Sequence, residues 1–102
     1  MDAYTMHHIQ SESLNQLFDA IVNLKSREEC SKFFEDICTI KELLDLAQRL
    51  DVAVLLDQGV SYQAIAQQIN VSTATISRVS RCLNYGSGGY KMALERLEEG
   101  KK

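Results

Sequence analysis

SYQAIAQQINVSTATISRVSRCL, residues 61–83, holds two short helical patterns separated by a tight break. The first opens at Ser61, a natural N-cap, and carries Ile65, Ala66 and Ile69. The second opens at Ser72 and carries Ile76, Val79 and Leu83 at helical spacing. Between them, Asn70 is one of the few non-glycine residues that tolerates a left-handed backbone, so the sharp turn is expected there. Small Ala66 lets the two helices approach, and Ile65, Ile69, Val71, Ile76 and Val79 supply the wedge of core between them. Caps, turn, small residue and apolar spacing all describe a helix-turn-helix.

The outward face of the second helix carries the functional reading. At about 100° per residue, Ile76, Val79 and Leu83 gather on one side. Ala74, Ser77, Arg78 and Arg81 point the other way, with Thr73 at their margin. A helix that reads DNA needs small or hydrogen-bonding side chains near its N-terminus and positive charge for phosphate or guanine. Thr73, Ala74, Ser77, Arg78 and Arg81 are therefore the candidate DNA-binding residues. The bland counterpart is a helix-turn-helix used only for packing, with a solvated polar face.

Charge is distributed to suit this reading. The chain carries a net charge of -3 over 102 residues. Residues 1–57 hold five basic and eleven acidic side chains, whereas residues 58–94 hold Arg78, Arg81 and Lys91 and no acid. An acid-free block centred on the motif matters more to a phosphate backbone than the total does. Three cations per chain are few, so one copy alone is expected to bind DNA poorly.

Length and composition set the frame. The chain has room for one small domain, and one this short leaves much apolar surface exposed unless it associates. Absence of proline and 45% hydrophobic content suit a helical protein. Cys30, Cys38 and Cys82 form no CxxC pair and lie within apolar patterns, which reads as buried thiols in a reducing cytosol. No apolar run approaches membrane length and no signal-peptide pattern opens the chain, so a cytoplasmic protein with no membrane partner is expected.

The remaining elements read as helices. Residues 1–10 lack periodicity and form a tail. Its adjacent His7 and His8 share no helix face and find no third histidine, so no metal site is expected. Residues 11–102 form a single all-helical DNA-binding domain. Leu14, Leu17, Phe18, Ile21 and Val22 make a stripe after Ser11. Ser26-Arg27-Glu28-Glu29 is a capping box opening a second helix with Cys30, Phe33, Phe34 and Ile37. Thr39-Ile40-Lys41-Glu42 is another, opening the longest helix, about Ile40 to Asp57. Apolar on more than one side, that helix needs neighbours on both, and a partner subunit could supply one. Gln58-Gly59 ends it. Residues 84–89 form a glycine-rich loop without the context of a P-loop, and Tyr90 to Glu99 supports a last helix before Gly100-Lys101-Lys102 frays. No Ser/His/Asp, Cys/His or paired-carboxylate arrangement stands out, so no enzyme is expected.

Arg49 in the long helix, the Gly59 break, Ser61-x-x-x-Ile65, Ala74-Thr75-Ile76-Ser77-Arg78 and Leu83, in that order, resemble the tryptophan repressor family. More closely, the chain is similar to its TrpR-like YerC/YecD branch. The likeness covers about residues 11–97 and is most specific from Asp45 to Tyr90. It implies an all-helical, intertwined homodimer whose N-terminal helices interlock, and sequence-specific binding of double-stranded operator DNA, with repression as the expected role. It also implies two arginines that sandwich the indole of a tryptophan co-repressor, matching Arg49 and Arg78.

Two positions depart from the family pattern. Val79 stands where the tryptophan-responsive repressor has glycine, and Cys82 replaces a serine that helps hold the ligand amine. A β-branched side chain and a weakly polar thiol both work against an amino-acid ligand there. The candidate effector-binding set is thus Arg49, Arg78, Val79 and Cys82, with tryptophan disfavoured and no cofactor expected. The competing reading of the whole chain is a helical protein–protein adaptor that docks on a polypeptide without binding DNA.

Overall fold

The computed structural model describes residues 11–101. The tail read over residues 1–10, with His7 and His8, and the terminal Lys102 lie outside the described residues. Six helices follow one another: α1 (Glu12–Val22), α2 (Arg27–Ile37), α3 (Ile40–Asp57), α4 (Tyr62–Gln68), α5 (Thr73–Tyr85) and α6 (Gly89–Glu99). No strand occurs among the described residues, so the all-α expectation holds.

Hydroxyl caps open five of the six. The side chains of Ser11, Ser26, Thr39, Ser61 and Ser72 each accept a backbone N–H three residues on, at 3.1–3.2 Å. At Thr39 the box is reciprocal, because Glu42 accepts the Thr39 N–H at 2.9 Å. At Ser26 it is not: Glu29 reaches past the cap and accepts the Lys25 N–H at 2.9 Å. The two caps differ in φ, -157° at Ser26 and -70° at Thr39.

The long helix stops where Gly59 takes φ +83°. The Gly59 N–H donates to the Leu56 carbonyl and the Val60 N–H to that of Leu55, both at 3.0 Å. This paired arrangement is a Schellman motif, and its left-handed residue is why glycine stands there.

The turn between α4 and α5 differs from expectation. No non-glycine residue among those described has positive φ, so Asn70 is not left-handed. Instead Ile69 is extended (φ -120°, ψ 129°) and the Val71 N–H donates to the Ile69 carbonyl at 2.7 Å. The chain reverses through an inverse γ-turn centred on Asn70. The Asn70 carbonyl in turn accepts a hydrogen bond from Gln48 Nε2 at 3.3 Å, which ties the turn to α3.

The core sits in the C-terminal half. Val52 and Ala53 of α3, Ile65 of α4, and Ile76 and Val79 of α5 are buried together, with Val60, Ile69, Val71, Tyr90 and Leu94 packed against them. Leu83 is buried one turn further along α5. The wedge read from the sequence is therefore in place. In the N-terminal half, no residue of α1 or α2 is buried, and Ile40 and Leu44 at the start of α3 are 76% and 63% exposed. Phe33 and Phe34 make an edge-to-face pair at 5.4 Å, half-buried. The three cysteines depart from their expected burial: Cys30 is exposed and Cys38 and Cys82 are half-buried, because the stripes holding Cys30 and Cys38 are left uncovered within one chain. The Cα radius of gyration, 14.8 Å, exceeds the roughly 13 Å of a fully compact chain of this size. Among the described residues, no helix is long and apolar enough to cross a membrane.

Candidate DNA interface and the adjacent cavity

Helix α5 lies across α3 and α4 with its apolar stripe inward, and this packing fixes what it presents outward. Ile76, Val79 and Leu83 are buried, so the side chains between them project to solvent. Thr73, Ala74, Ser77, Arg78 and Arg81 are all exposed. Along that face Thr73, Ser77 and Arg81 recur every fourth residue, and Tyr85, 88% exposed, continues the line. Tyr85 was not among the residues singled out from the sequence, although the same spacing points to it.

The N-terminal end of this face is pre-formed. Ser72 Oγ accepts the Thr75 N–H at 3.2 Å and shares a second hydrogen bond with the Thr75 hydroxyl at 3.0 Å. Charge on the face is unneutralised among the described residues. Among the described residues the one ion pair joins Lys41 and Asp45, at 3.1 Å, near the start of α3. Arg49, Arg78 and Arg81 make none.

Behind the arginines lies a cavity of about 180 Å³ between α3, α5 and the start of α6. Its walls are Arg49, Thr75, Arg78, Val79, Cys82 and Tyr90. The four residues singled out as a possible effector set, Arg49, Arg78, Val79 and Cys82, thus line one space. Thr75 and Tyr90 were missed. Thr75 stands one turn before Val79 and at four- and seven-residue spacing from Val79 and Cys82, so helical periodicity alone could have found it. Tyr90 belongs to another helix, and only the tertiary fold brings it here.

Val79 divides its roles. It is 2% exposed and belongs to the buried core while also forming part of the cavity wall. Burial pushes the Tyr90 phenol upward, and the Cys82 thiol adds to the rise, while the Arg49 and Arg78 guanidiniums pull it down. Desolvation wins, so the phenol stays protonated and neutral at ordinary pH. No cluster of three or more histidine, cysteine or acidic side chains suited to a metal ion occurs among the described residues.

Comparisons with known proteins agree with this geometry. The family model described as Trp repressor protein matches residues 12–98. The uncharacterized protein YerC of Bacillus subtilis (strain 168) is 53% identical over 91 residues, spanning 89% of this chain and 88% of YerC. A crystal structure of a TrpR-like protein from Eubacterium eligens ATCC 27750 superposes with a TM-score of 0.84 at 49% identity, covering 87% of this chain and 92% of that one. That of a proposed Trp repressor from Staphylococcus aureus gives 0.85 at 45% identity, with 96% and 95% covered. The chain belongs to the Trp repressor family of helix-turn-helix DNA-binding regulators, which are not enzymes, and within it to the TrpR-like YerC group.

Proposed function

We propose that this protein is a transcriptional repressor that binds a specific double-stranded DNA site as a homodimer. One observation carries the reading: the exposed face of α5 offers Thr73, Ala74, Ser77, Arg78 and Arg81 with no acidic residue anywhere from 58 to 94. Thr73, Ala74 and Ser77, near the helix N-terminus, are small enough for the backbone to approach base edges. Arg81, a turn beyond Ser77, takes a phosphate, and Arg78 stands between the two tasks.

The homodimer answers two deficits at once. A single chain brings few cations, and two chains double them across two half-sites. One chain also leaves Phe18, Val22, Ile37, Ile40, Leu44 and Leu46 exposed along α1, α2 and the first half of α3. Large apolar side chains left open on three successive helices point to an association surface. A second copy with the same surface covers it by two-fold symmetry, and the shared core accounts for the expanded dimensions of the isolated chain.

No tryptophan effector is part of the proposal. The cavity of about 180 Å³ falls below the roughly 300 Å³ at which pockets for drug-sized ligands begin. Buried Val79 forms part of the cavity wall.

The test is titration of a labelled random-sequence duplex at low salt, followed by selection of preferred sites, with sedimentation across a dilution series. Salt-sensitive binding, an enriched two-fold-symmetric sequence and a dimer at every folded concentration are expected. A well-folded monomer at micromolar protein would remove the dimer. Absence of duplex binding at low salt would favour the adaptor reading.

A further inference from the structure

Tyr90 is placed by an unusual piece of backbone. Helix α5 ends at Tyr85, and the chain turns back through Gly86-Ser87-Gly88 into Gly89, the first residue of α6. Two of those glycines are required. A Cβ on Gly86 would run into the Cys82 carbonyl oxygen of the preceding turn, and Gly88 holds φ +90°. Gly88 caps α6 without any side-chain hydrogen bond. The result is a tight return that brings the second residue of α6 over the gap between α3 and α5. There the Tyr90 ring packs against the buried core and closes one wall of the cavity lined by Arg49, Thr75, Arg78, Val79 and Cys82.

Position and chemistry together give this ring a task. Inside the space between α3 and α5 the Tyr90 side chain is the aromatic group, and Arg78 on the same cavity wall belongs to the face offered to DNA. This ring lines the space between α3 and α5 and packs against the core that both helices share, so its bulk bears on how the two lie together.

We propose that Tyr90 is a positioning residue, a tethered aromatic wedge that holds α5 in the pose that meets DNA, so that no free aromatic ligand is needed there. The proposal rests on the DNA-binding reading for its functional consequence, though not for the wedge itself. The chain supplies its own aromatic wall for the cleft, attached through a glycine return. Removing the ring opens space between α3 and α5 and lets α5 adopt other angles, and the competent pose becomes a fraction of the population. Apparent DNA affinity falls by that fraction, so a pose populated one time in ten weakens binding about tenfold.

The experiment uses the full chain with Tyr90→Phe, Tyr90→Leu and Tyr90→Ala, titrated with the selected duplex with and without millimolar p-cresol, the free counterpart of the tyrosine side chain. Tyr90→Phe should bind within about twofold of the unaltered protein, since the ring and not the hydroxyl wedges the helices. Tyr90→Leu keeps apolar volume and fold but not the flat ring, and should weaken binding several-fold. Tyr90→Ala should weaken it about tenfold, and p-cresol should restore much of the loss there while leaving the unaltered protein unchanged. A structural role alone would lower the melting temperature of Tyr90→Ala without rescue of DNA affinity by p-cresol. Wild-type affinity in both Tyr90→Ala and Tyr90→Leu, or a loss that p-cresol does not reverse in folded protein, overturns the proposal. If the unaltered protein binds no duplex, the DNA reading fails separately. Amide exchange then decides the wedge: α5 should lose protection in Tyr90→Leu and regain it on p-cresol binding to Tyr90→Ala, and unchanged protection refutes it.

Discussion

Shortening Val79 to alanine tests whether this position is primarily core or primarily cavity. The side chain is 2% exposed and belongs to the cluster with Val52, Ala53, Ile65 and Ile76. Removing two methyl groups at about 0.8 kcal/mol for each buried carbon forfeits about 1.6 kcal/mol of transfer free energy. A residual void of roughly 40 Å³ would add about 1 kcal/mol at 24 cal/mol per Å³. The void borders an existing cavity, so water and the flexible Arg78 can relax into it and trim that second contribution. A loss of about 2 kcal/mol is therefore expected for Val79→Ala, and about 1 kcal/mol more for Val79→Gly from backbone freedom in mid-helix. Urea unfolding measures both, at one fixed protein concentration because dimer stability depends on it, and with the urea dependence of the free energy unchanged between variants. A loss under about 0.5 kcal/mol for Val79→Ala, the size of an ordinary surface change, would refute the packing argument and reopen the cleft as a ligand site.

Arg81→Ala should weaken binding to every duplex and lower the salt dependence by about one unit of slope per chain, about two for the dimer, whereas changes at Thr73, Ala74 or Ser77 should alter which sequence is preferred. A shift in base preference from Arg81→Ala with unchanged salt dependence contradicts that division. Calorimetry with L-tryptophan should give no binding, and duplex affinity should be the same with and without it; micromolar binding coupled to tighter DNA binding would show that Val79 and Cys82 had been given too much weight. Glu42 accepts the Thr39 backbone N–H, reinforced by the Thr39 hydroxyl, and both hold its carboxyl below the ordinary carboxylate range. Because the folded value is the depressed one, the cap's charge contribution is complete above the unfolded value and disappears as pH falls through the folded one. A proton titration followed by NMR should place the Glu42 midpoint below those of the other exposed glutamates, and coincidence with them would remove the reciprocal cap.

Helix boundaries were legible because the chain marks them with side chains. Ser61, Ser72 and Thr39 each sit where the cap forms, and Gly59 stands where the left-handed residue is needed. The buried face of α5 followed from the spacing of Ile76, Val79 and Leu83, and its complement gave the exposed face directly. The α4–α5 turn was misjudged in mechanism because local preference for Asn in left-handed conformations ignored a non-local partner. Once Gln48 takes the Asn70 carbonyl and Val71 bonds back to Ile69, the reversal needs no positive φ. Cysteine burial was overestimated for a different reason: an apolar stripe says that a face is covered, and not that the same chain covers it. Tyr90 was beyond reach, since nothing within eight residues of it foretells a cavity shared with Arg49, 41 positions earlier.

Helix α3 carries the exposed apolar residues Ile40 and Leu44 at one end and the buried Val52 and Ala53 at the other, and in the proposed dimer this makes it both ruler and phase-setter. Its 18 residues span about 27 Å at 1.5 Å per residue. One residue inserted midway would swing the reading head by about 100° relative to the partner's, aiming it away from the groove with its own fold intact. Seven residues would come within about 20° of two full turns, returning the head to its bearing while carrying it about 10 Å outward. Both chains carry the insertion, so the two heads part by up to about 20 Å, the rise of about six base pairs of duplex. Length changes in this single rod therefore translate into operator geometry, with most of them abolishing paired binding and only the near-integral ones yielding a new spacing.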